Sequence, residues 1–174
     1  MEHPEPIFPE TSSLCCGVFV AYQDPSQLGI DRFLALLGAY KQTGRACIVI
    51  DAGTAITIDA IDGRGQHLGG VIFPGWRQMK LCLQDAADRV LLDVEGVIDL
   101  FSKNTSDGVT TGCYYAAVCG VNEIVSQMKS EIGEEPLIVM TGGGARGLKN
   151  GIEHRLLVSE HLVLDGLEIM AKQA

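Results

Sequence analysis

The stretch ACIVIDAGTAITIDAIDGRGQHLGGVIFPG, Ala46 to Gly75, constrains the fold more than any other part of this chain. It contains three runs rich in β-branched residues, ACIVID, AITIDAID and HLGGVIFPG, each bounded by turn residues. Only Ala-Gly-Thr and Gly-Arg-Gly-Gln separate them. A parallel return would need a crossover of about a dozen residues, so the spacing predicts an antiparallel meander. The first turn raises a further question. A plain hairpin prefers Asn-Gly or Asp-Gly, yet here an acid (Asp51), a glycine (Gly53) and a hydroxyl (Thr54) crowd where two strands meet. That combination suits a bound anion or metal ion.

Before the meander, CCGVFVAY (Cys15 to Tyr22) reads as a strand. QDPSQLGIDR then leads into a helix with Phe33, Leu36, Leu37 and Tyr40 at helical spacing. After the meander, Met79, Leu83, Ala86, Ala87 and Val90 mark a long amphipathic helix. Tyr114, Ala117, Val118, Val121, Ile124, Val125 and Met128 mark another. PLIVMTGGG reads as a buried strand ending in glycines, with a short helix in ARGLKNG behind it. LLVSEHLVLDGLEIMAK closes the chain as a short strand and a helix. Residues 1–16, rich in proline and acids, read as an irregular arm, and residues 17–174 as a single lobe. The order predicts an α/β fold: a mixed sheet with three antiparallel strands and flanking helices. It is the order of a ribonuclease-H-like lobe, the half-unit of the actin, hexokinase and Hsp70 ATPase superfamily.

Bulk properties narrow the function. A formal net charge of −9 argues against a nucleic-acid partner, which needs a basic face. None of the six cysteines forms a CxxC pair, and their neighbours are apolar, as expected of free thiols in a reducing compartment. The polar, proline-rich start MEHPEPIFPE does not read as a signal peptide, and no apolar run approaches the roughly 20 residues of a membrane span. A cytoplasmic protein without membrane attachment is the expectation.

Several short segments could carry chemistry. In DAGT, Asp51 to Thr54, the glycine and hydroxyl suit a phosphate and the acid a cation; the plain alternative is an aspartate capping its own turn. TGGGA, Thr141 to Ala145, follows a strand and opens a helix, where bare backbone can approach a ring or a phosphate. GGVIFPG, Gly69 to Gly75, is either a bulged strand or room made for a ligand or a neighbouring chain. In LGIDR, Asp31 stands where a helix-starting acid is routine and where a general base facing a hydroxyl would also fit. Thr105, in SKNTSDG, begins another helix within a loop that could close over a substrate. His67, His154 and His161 stand singly and receive no role.

Taken in order, Tyr22, Asp24-Pro25, LGIDR, DAGTAITID, GGVIFPG, KNT, TGGGA and LVLDGL resemble the type III pantothenate kinases, some of which are called Bvg accessory factors. The resemblance runs from Gly17 to the end of the chain. It implies transfer of the γ-phosphoryl of ATP to the hydroxyl of pantothenate, the first step of coenzyme A synthesis, by a homodimer that uses Mg²⁺ and a monovalent cation, potassium or ammonium. Carried over by position, Asp31 resembles the catalytic base. Tyr22, Gly29, Ile30, Arg32 and Thr105 resemble pantothenate contacts, Thr105 across the dimer. Thr54, Gly142 and Gly143 resemble nucleotide contacts, and Asp51 the monovalent-cation ligand.

The resemblance has a gap. Family members open with a lobe whose first strand carries a DxGNT-type phosphate-gripping motif, and the first sixteen residues here, MEHPEPIFPETSSLCC, hold none. Losing one charge-stabilising group can cost roughly 10²–10³ in rate, so these 174 residues alone are expected to be a poor kinase. Two alternatives stay open beside it: a non-catalytic relative that binds a partner in regulation, and another actin-like kinase acting on a sugar or small acid. The GIDR segment with Tyr22 ahead of it disfavours the latter.

Overall fold

The structure, a computed structural model, describes residues 8–86 and 96–173. At the start of that range CCGVFVAY does not form one strand. It folds into a small hairpin of β1 (Leu14–Cys15) and β2 (Val18–Phe19). Cys16 and Gly17 turn it at φ 52° and 80°, the left-handed pair that a tight hairpin needs. A glycine inside the apolar run was the signal for this bend.

Helix α1 (Ile30–Thr43) follows, stopped by Gly44 in a left-handed cap whose N–H bonds the Tyr40 carbonyl at 2.7 Å. Its Phe33, Leu36 and Leu37 are fully buried, each worth about 1.5–3 kcal/mol of apolar transfer. The meander is as the spacing predicts: β3 (Cys47–Ala52), β4 (Ala55–Ile61) and β5 (His67–Pro74), antiparallel, with Ile50 opposite Ile58 and Ile58 opposite Val71. The pairing slips by one residue between Ala60 and Ile61, so GGVIFPG does begin at a bulge.

Helix α2 (Trp76–Ala86) carries Met79 into the core but leaves Leu83 exposed; Ala87 and Val90 of the expected stripe lie outside the described residues. Helix α3 (Thr105–Ile132) buries Ala117, Val118, Val121 and Val125, as its spacing requires. Then come β6 (Leu137–Thr141), the short α4 (Ala145–Leu148), β7 (Leu156–Val158) and α5 (Leu162–Ala171). Strands β6 and β7 join β3 in parallel, giving the order β5-β4-β3-β6-β7. This is the mixed sheet with flanking helices that the element order implies.

Alternation along β3 splits the core in two. Ile48, Ile50 and Ala52 pack with α3 and α4 on one face, while Cys47 and Val49 pack with α1 and α5 on the other. Helices α1 and α5 cross closely because glycines stand at the contact: a Cβ on Gly38 would come within 2.5 Å of the Leu162 carbonyl. Among the described residues no helix is long and apolar enough to cross a membrane.

Candidate active site

Strands β3, β6 and β7 run in parallel and end at Ala52, Thr141 and Val158, so their carboxyl ends share one edge of the sheet. In open α/β sheets ligands bind beyond that edge. A short link, Gly44 to Ala46, returns α1 into β3, which sets the start of α1 and its Asp31 over the same edge. Asp51 lies on the face turned to α1, and in register it is flanked by Thr57 on β4 and Thr141 on β6. Burial pushes the Asp51 carboxyl above its usual range, and the negative charge of Asp31 pushes it further. The two acids that the sequence singled out therefore face each other electrostatically across 20 residues of chain (51 − 31).

The glycines of TGGGA have separate tasks. Gly142, at φ 92°, lies against the Asp51 carboxylate and the Ala52 carbonyl; a Cβ there would stand 2.6 Å from the carbonyl oxygen and would overlap Asp51 Oδ1. Gly144 donates its N–H to that carbonyl at 2.7 Å, clasping the end of β6 to the end of β3. Gly143 differs, because a Cβ there would meet nothing within 4 Å. It borders two cavities. One, of about 460 Å³, is lined by Asp51, Gly142, Gly143, Arg146 and His161. The other, of about 430 Å³, is lined by Gly53, Thr54, Gly75, Trp76, Arg77 and Gly143. Thr54 and Gly143 thus share one cavity, and Asp51 and Gly143 the other. In the DAGT turn the Gly53 N–H bonds the Ala55 carbonyl at 2.9 Å, so that donor serves the turn and not a phosphate. Gly75 donates to the Thr54 carbonyl at 2.8 Å, and a Cβ on it would sit 2.5 Å from the Gly53 carbonyl, so the glycine of Pro-Gly lets the end of β5 close on the DAGT turn at the rim of the second cavity.

The GIDR segment is built as a helix start without a side-chain cap. Gly29 holds the N-cap position, and the Asp31 carboxylate folds back over it, accepting the Arg32 backbone N–H at 2.8 Å. Ile30 and Tyr22 pack at the margin of the α1–α5 core. Arg32 points inward. Its Nε and Nη2 donate to the two carboxylate oxygens of Asp59 at 2.8 and 2.6 Å, and its Nη1 donates to the Tyr22 hydroxyl at 3.1 Å. Asp59 is 2% exposed and has His67 Nε2 at 3.1 Å from Oδ1. Burial alone would raise the Asp59 carboxyl, but hydrogen bonds from His67 and Arg32 and the Arg32 charge hold it below its ordinary range.

Asp59 and His67 were not among the sequence-derived candidates. The available signal was the even spacing of Asp51, Thr57 and Asp59 across the meander, which puts all three on one face, with glycine opposite Asp59 in β5. A Cβ on Gly70 would overlap the Asp59 carboxylate, so GGVIFPG does make room, though for a side chain of this chain.

Thr105 stands apart. It is the first residue of α3, behind an Asn104 cap whose side chain accepts the Asp107 N–H at 2.9 Å. Helix α3 lies on the sheet face opposite Asp51, and Thr105 precedes Ala117, its first fully buried residue in the core on that face, by roughly 18 Å of helix. It lines neither cavity. Among the described residues no group of three His, Cys, Asp or Glu side chains is placed to hold a metal. A single half-buried carboxylate beside hydroxyls is an oxygen donor set suited to a hard cation that keeps other ligands of its own.

Residues 2–127 match the profile of the family described as type III pantothenate kinase. A curated protein of that description from Nitrosomonas eutropha is 36% identical over 171 residues, covering 97% of this chain and 66% of its own length. Across curated relatives of this description the chain spans 57–66% of their length. Among solved structures, a Campylobacter jejuni protein described as a conserved Baf family transcriptional activator superposes with a TM-score of 0.60 at 28% identity, over 88% of this chain and 66% of that one. A non-polymerisable ParM mutant superposes with a TM-score of 0.50 at 13% identity, over 75% and 48% of the two chains, a likeness of fold alone. The α/β fold of this chain, a mixed sheet with flanking helices, is thus shared with both proteins.

Proposed function

Because the chain belongs to the type III pantothenate kinase family, we propose that its carboxyl-edge site takes part in phosphorylating pantothenate from ATP to give 4′-phosphopantothenate. The observation that carries this reading is the Asp51 carboxylate set against the Gly142 turn at the carboxyl edge of the sheet, near enough to the start of α1 to feel the charge of Asp31. The pantothenate hydroxyl oxygen attacks the γ-phosphorus, its proton passes to the Asp31 carboxylate, and the bond to ADP breaks with the electron pair leaving on ADP. Tyr22, Gly29 and Ile30 form the pantothenate side of the site, with the Arg32 side chain buried behind them against Asp59. Thr54, Gly142 and Gly143 form the nucleotide side, with Gly143 contributing bare backbone. A potassium or ammonium ion at Asp51 would offset the crowding of negative charge there, and Mg²⁺ would arrive on the ATP phosphates.

Thr105 fits this reading only in an assembly. The long α3 carries it past the carboxyl edge, where it can reach the site of a second copy. The apolar groove between α2 and α3, lined by Met79, Leu83, Val109 and Cys113, offers a face for such a homodimer. All six cysteines are free, in keeping with the cytoplasm, where coenzyme A synthesis takes place.

The test is pantothenate-dependent ADP release by the 174-residue chain with ATP, Mg²⁺ and potassium. Turnover above a blank without pantothenate supports the kinase reading for this chain. The description of the Campylobacter relative favours a second reading, a non-catalytic regulatory protein. Because these residues hold no DxGNT-type motif, pantothenate binding without turnover fits a kinase short of phosphate contacts as well as that regulatory protein, whereas binding of neither substrate would sink the kinase reading.

A further inference from the structure

The GIDR arginine does not offer its fork to a ligand. Its Nε–Nη2 edge is spent on both carboxylate oxygens of Asp59, its Nη1 on the Tyr22 hydroxyl, and the guanidinium is buried. Such a pair is not a strong source of stability, since well-packed apolar residues would serve as well. Its geometry has another consequence. The Tyr22 hydroxyl accepts from Arg32 Nη1 at 3.1 Å, so its own proton must point elsewhere. The Tyr22 ring is held as well: His67 stacks on it with centroids 6.0 Å apart and planes 18° from parallel. His67 bonds Asp59 from the other side, and Gly70 leaves the space in which Asp59 sits. The Arg32 backbone N–H also holds the Asp31 carboxylate, so anchoring the Arg32 side chain steadies the acid beside it.

We propose that Asp59 and His67 are positioning residues: through Arg32 they fix Tyr22 as a hydrogen-bond donor to the ligand and hold Asp31 over the carboxyl edge. The ligand group meeting Tyr22 is then an acceptor, a carbonyl or carboxylate oxygen. The identity of that ligand as pantothenate rests on the function proposed above; the positioning itself does not.

The experiment separates the two. The protein is labelled at tyrosine Cζ, and the Tyr22 resonance is assigned by its loss in Tyr22→Phe. It is then recorded without ligand in the wild type, Asp59→Asn and His67→Gln. Circular dichroism checks each fold. His67→Gln keeps the Arg32–Asp59 pair, so it remains informative if Asp59→Asn does not fold. Displacement of the Tyr22 resonance in either folded variant is the expected result. An unmoved resonance in the folded variants overturns the positioning role, whatever the ligand. Calorimetry with pantothenate follows. Tyr22→Phe and Asp59→Asn should each weaken binding by about tenfold, the worth of one hydrogen bond, and the double variant by little more than either alone. Independent, multiplying losses would overturn the coupling through Arg32. A displaced resonance in a protein that never binds pantothenate would leave the positioning standing and overturn the substrate.

Discussion

Gly142 and Asp51 occupy adjoining space that no Cβ can share. The glycine lies against the carboxylate at a left-handed φ of 92°, and both residues border the same cavity. Gly142→Ala must therefore strain the backbone and move the acid together. The expected cost is about 1–3 kcal/mol of stability, read from urea denaturation, together with loss of any cation or nucleotide response. Gly143→Ala, which meets open space, should leave stability nearly unchanged. Equal stability losses in the two variants would show that the glycine-rich turn is only flexible.

Asp51 is a destabilising acid in the absence of a cation. Its native carboxyl is raised by burial and by Asp31, so the folded chain holds a proton more readily than the unfolded chain does. Stability from this group therefore falls as pH rises from the ordinary carboxylate range through the raised native value, and the penalty is complete at neutral pH. Asp51→Asn should raise the melting temperature at pH 7 in a cation-free buffer, and the gain should vanish near pH 3.5. If potassium binds here, it should stabilise the wild type and not the variant. A variant less stable than wild type at pH 7 would contradict this account.

Asp31 tests the chemistry separately from the fold. It lies in the first turn of α1, where its carboxylate bonds only the next backbone N–H among the described contacts, so Asp31→Asn should keep the native circular dichroism. In any preparation that turns over pantothenate, the variant should lose about 10²–10⁴ in kcat, the range of a removed general base. KM for pantothenate should move far less. A variant with near-normal kcat would remove Asp31 from the proton-transfer step.

What the sequence made legible follows from local periodicity. The meander, α1, α3 and β6 each bury one face, so alternation or helical spacing located them. The strand expected over Cys15–Tyr22 failed because Cys16 and Gly17 form a turn, of which Gly17 was the one sign, since a cysteine in a left-handed conformation has no compositional signature. Asp31, Asp51 and Gly142 could be singled out because each stands at the end of an element, where chain geometry and ligand chemistry leave the same mark. Asp59 could not. Its partner Arg32 is 27 residues away (59 − 32), and only the pairing of β4 with β3 beneath α1 brings them together.

The close crossing of α1 and α5 makes another prediction. A Cβ on Gly166 would overlap the Leu34 carbonyl, which is backbone and cannot swing aside. Gly166→Ala should therefore cost about 1–3 kcal/mol, as overpacking does, despite the better helix propensity of alanine. Because α1 carries Asp31, the same change should weaken pantothenate binding. A stabilised Gly166→Ala protein would mean the two helices stand farther apart than described.

Acid should expose the Arg32–Asp59 pair. Arg32 and His67 hold the Asp59 carboxyl below its ordinary range, so the unfolded chain takes up its proton first as pH falls. The stability this group contributes is fully present above the ordinary carboxylate value and disappears as pH drops through the lower native one. That sign is opposite to the sign at Asp51. Removing the carboxylate by Asp59→Asn leaves Arg32 buried without its counter-charge, at a cost of about 3–5 kcal/mol at neutral pH. Between pH 5 and pH 2, urea midpoints of the wild type should fall faster than those of Asp59→Asn, until the two nearly meet. Parallel midpoint curves would mean that Asp59 is not ionised in the native protein, and that Arg32 draws its balancing charge from elsewhere.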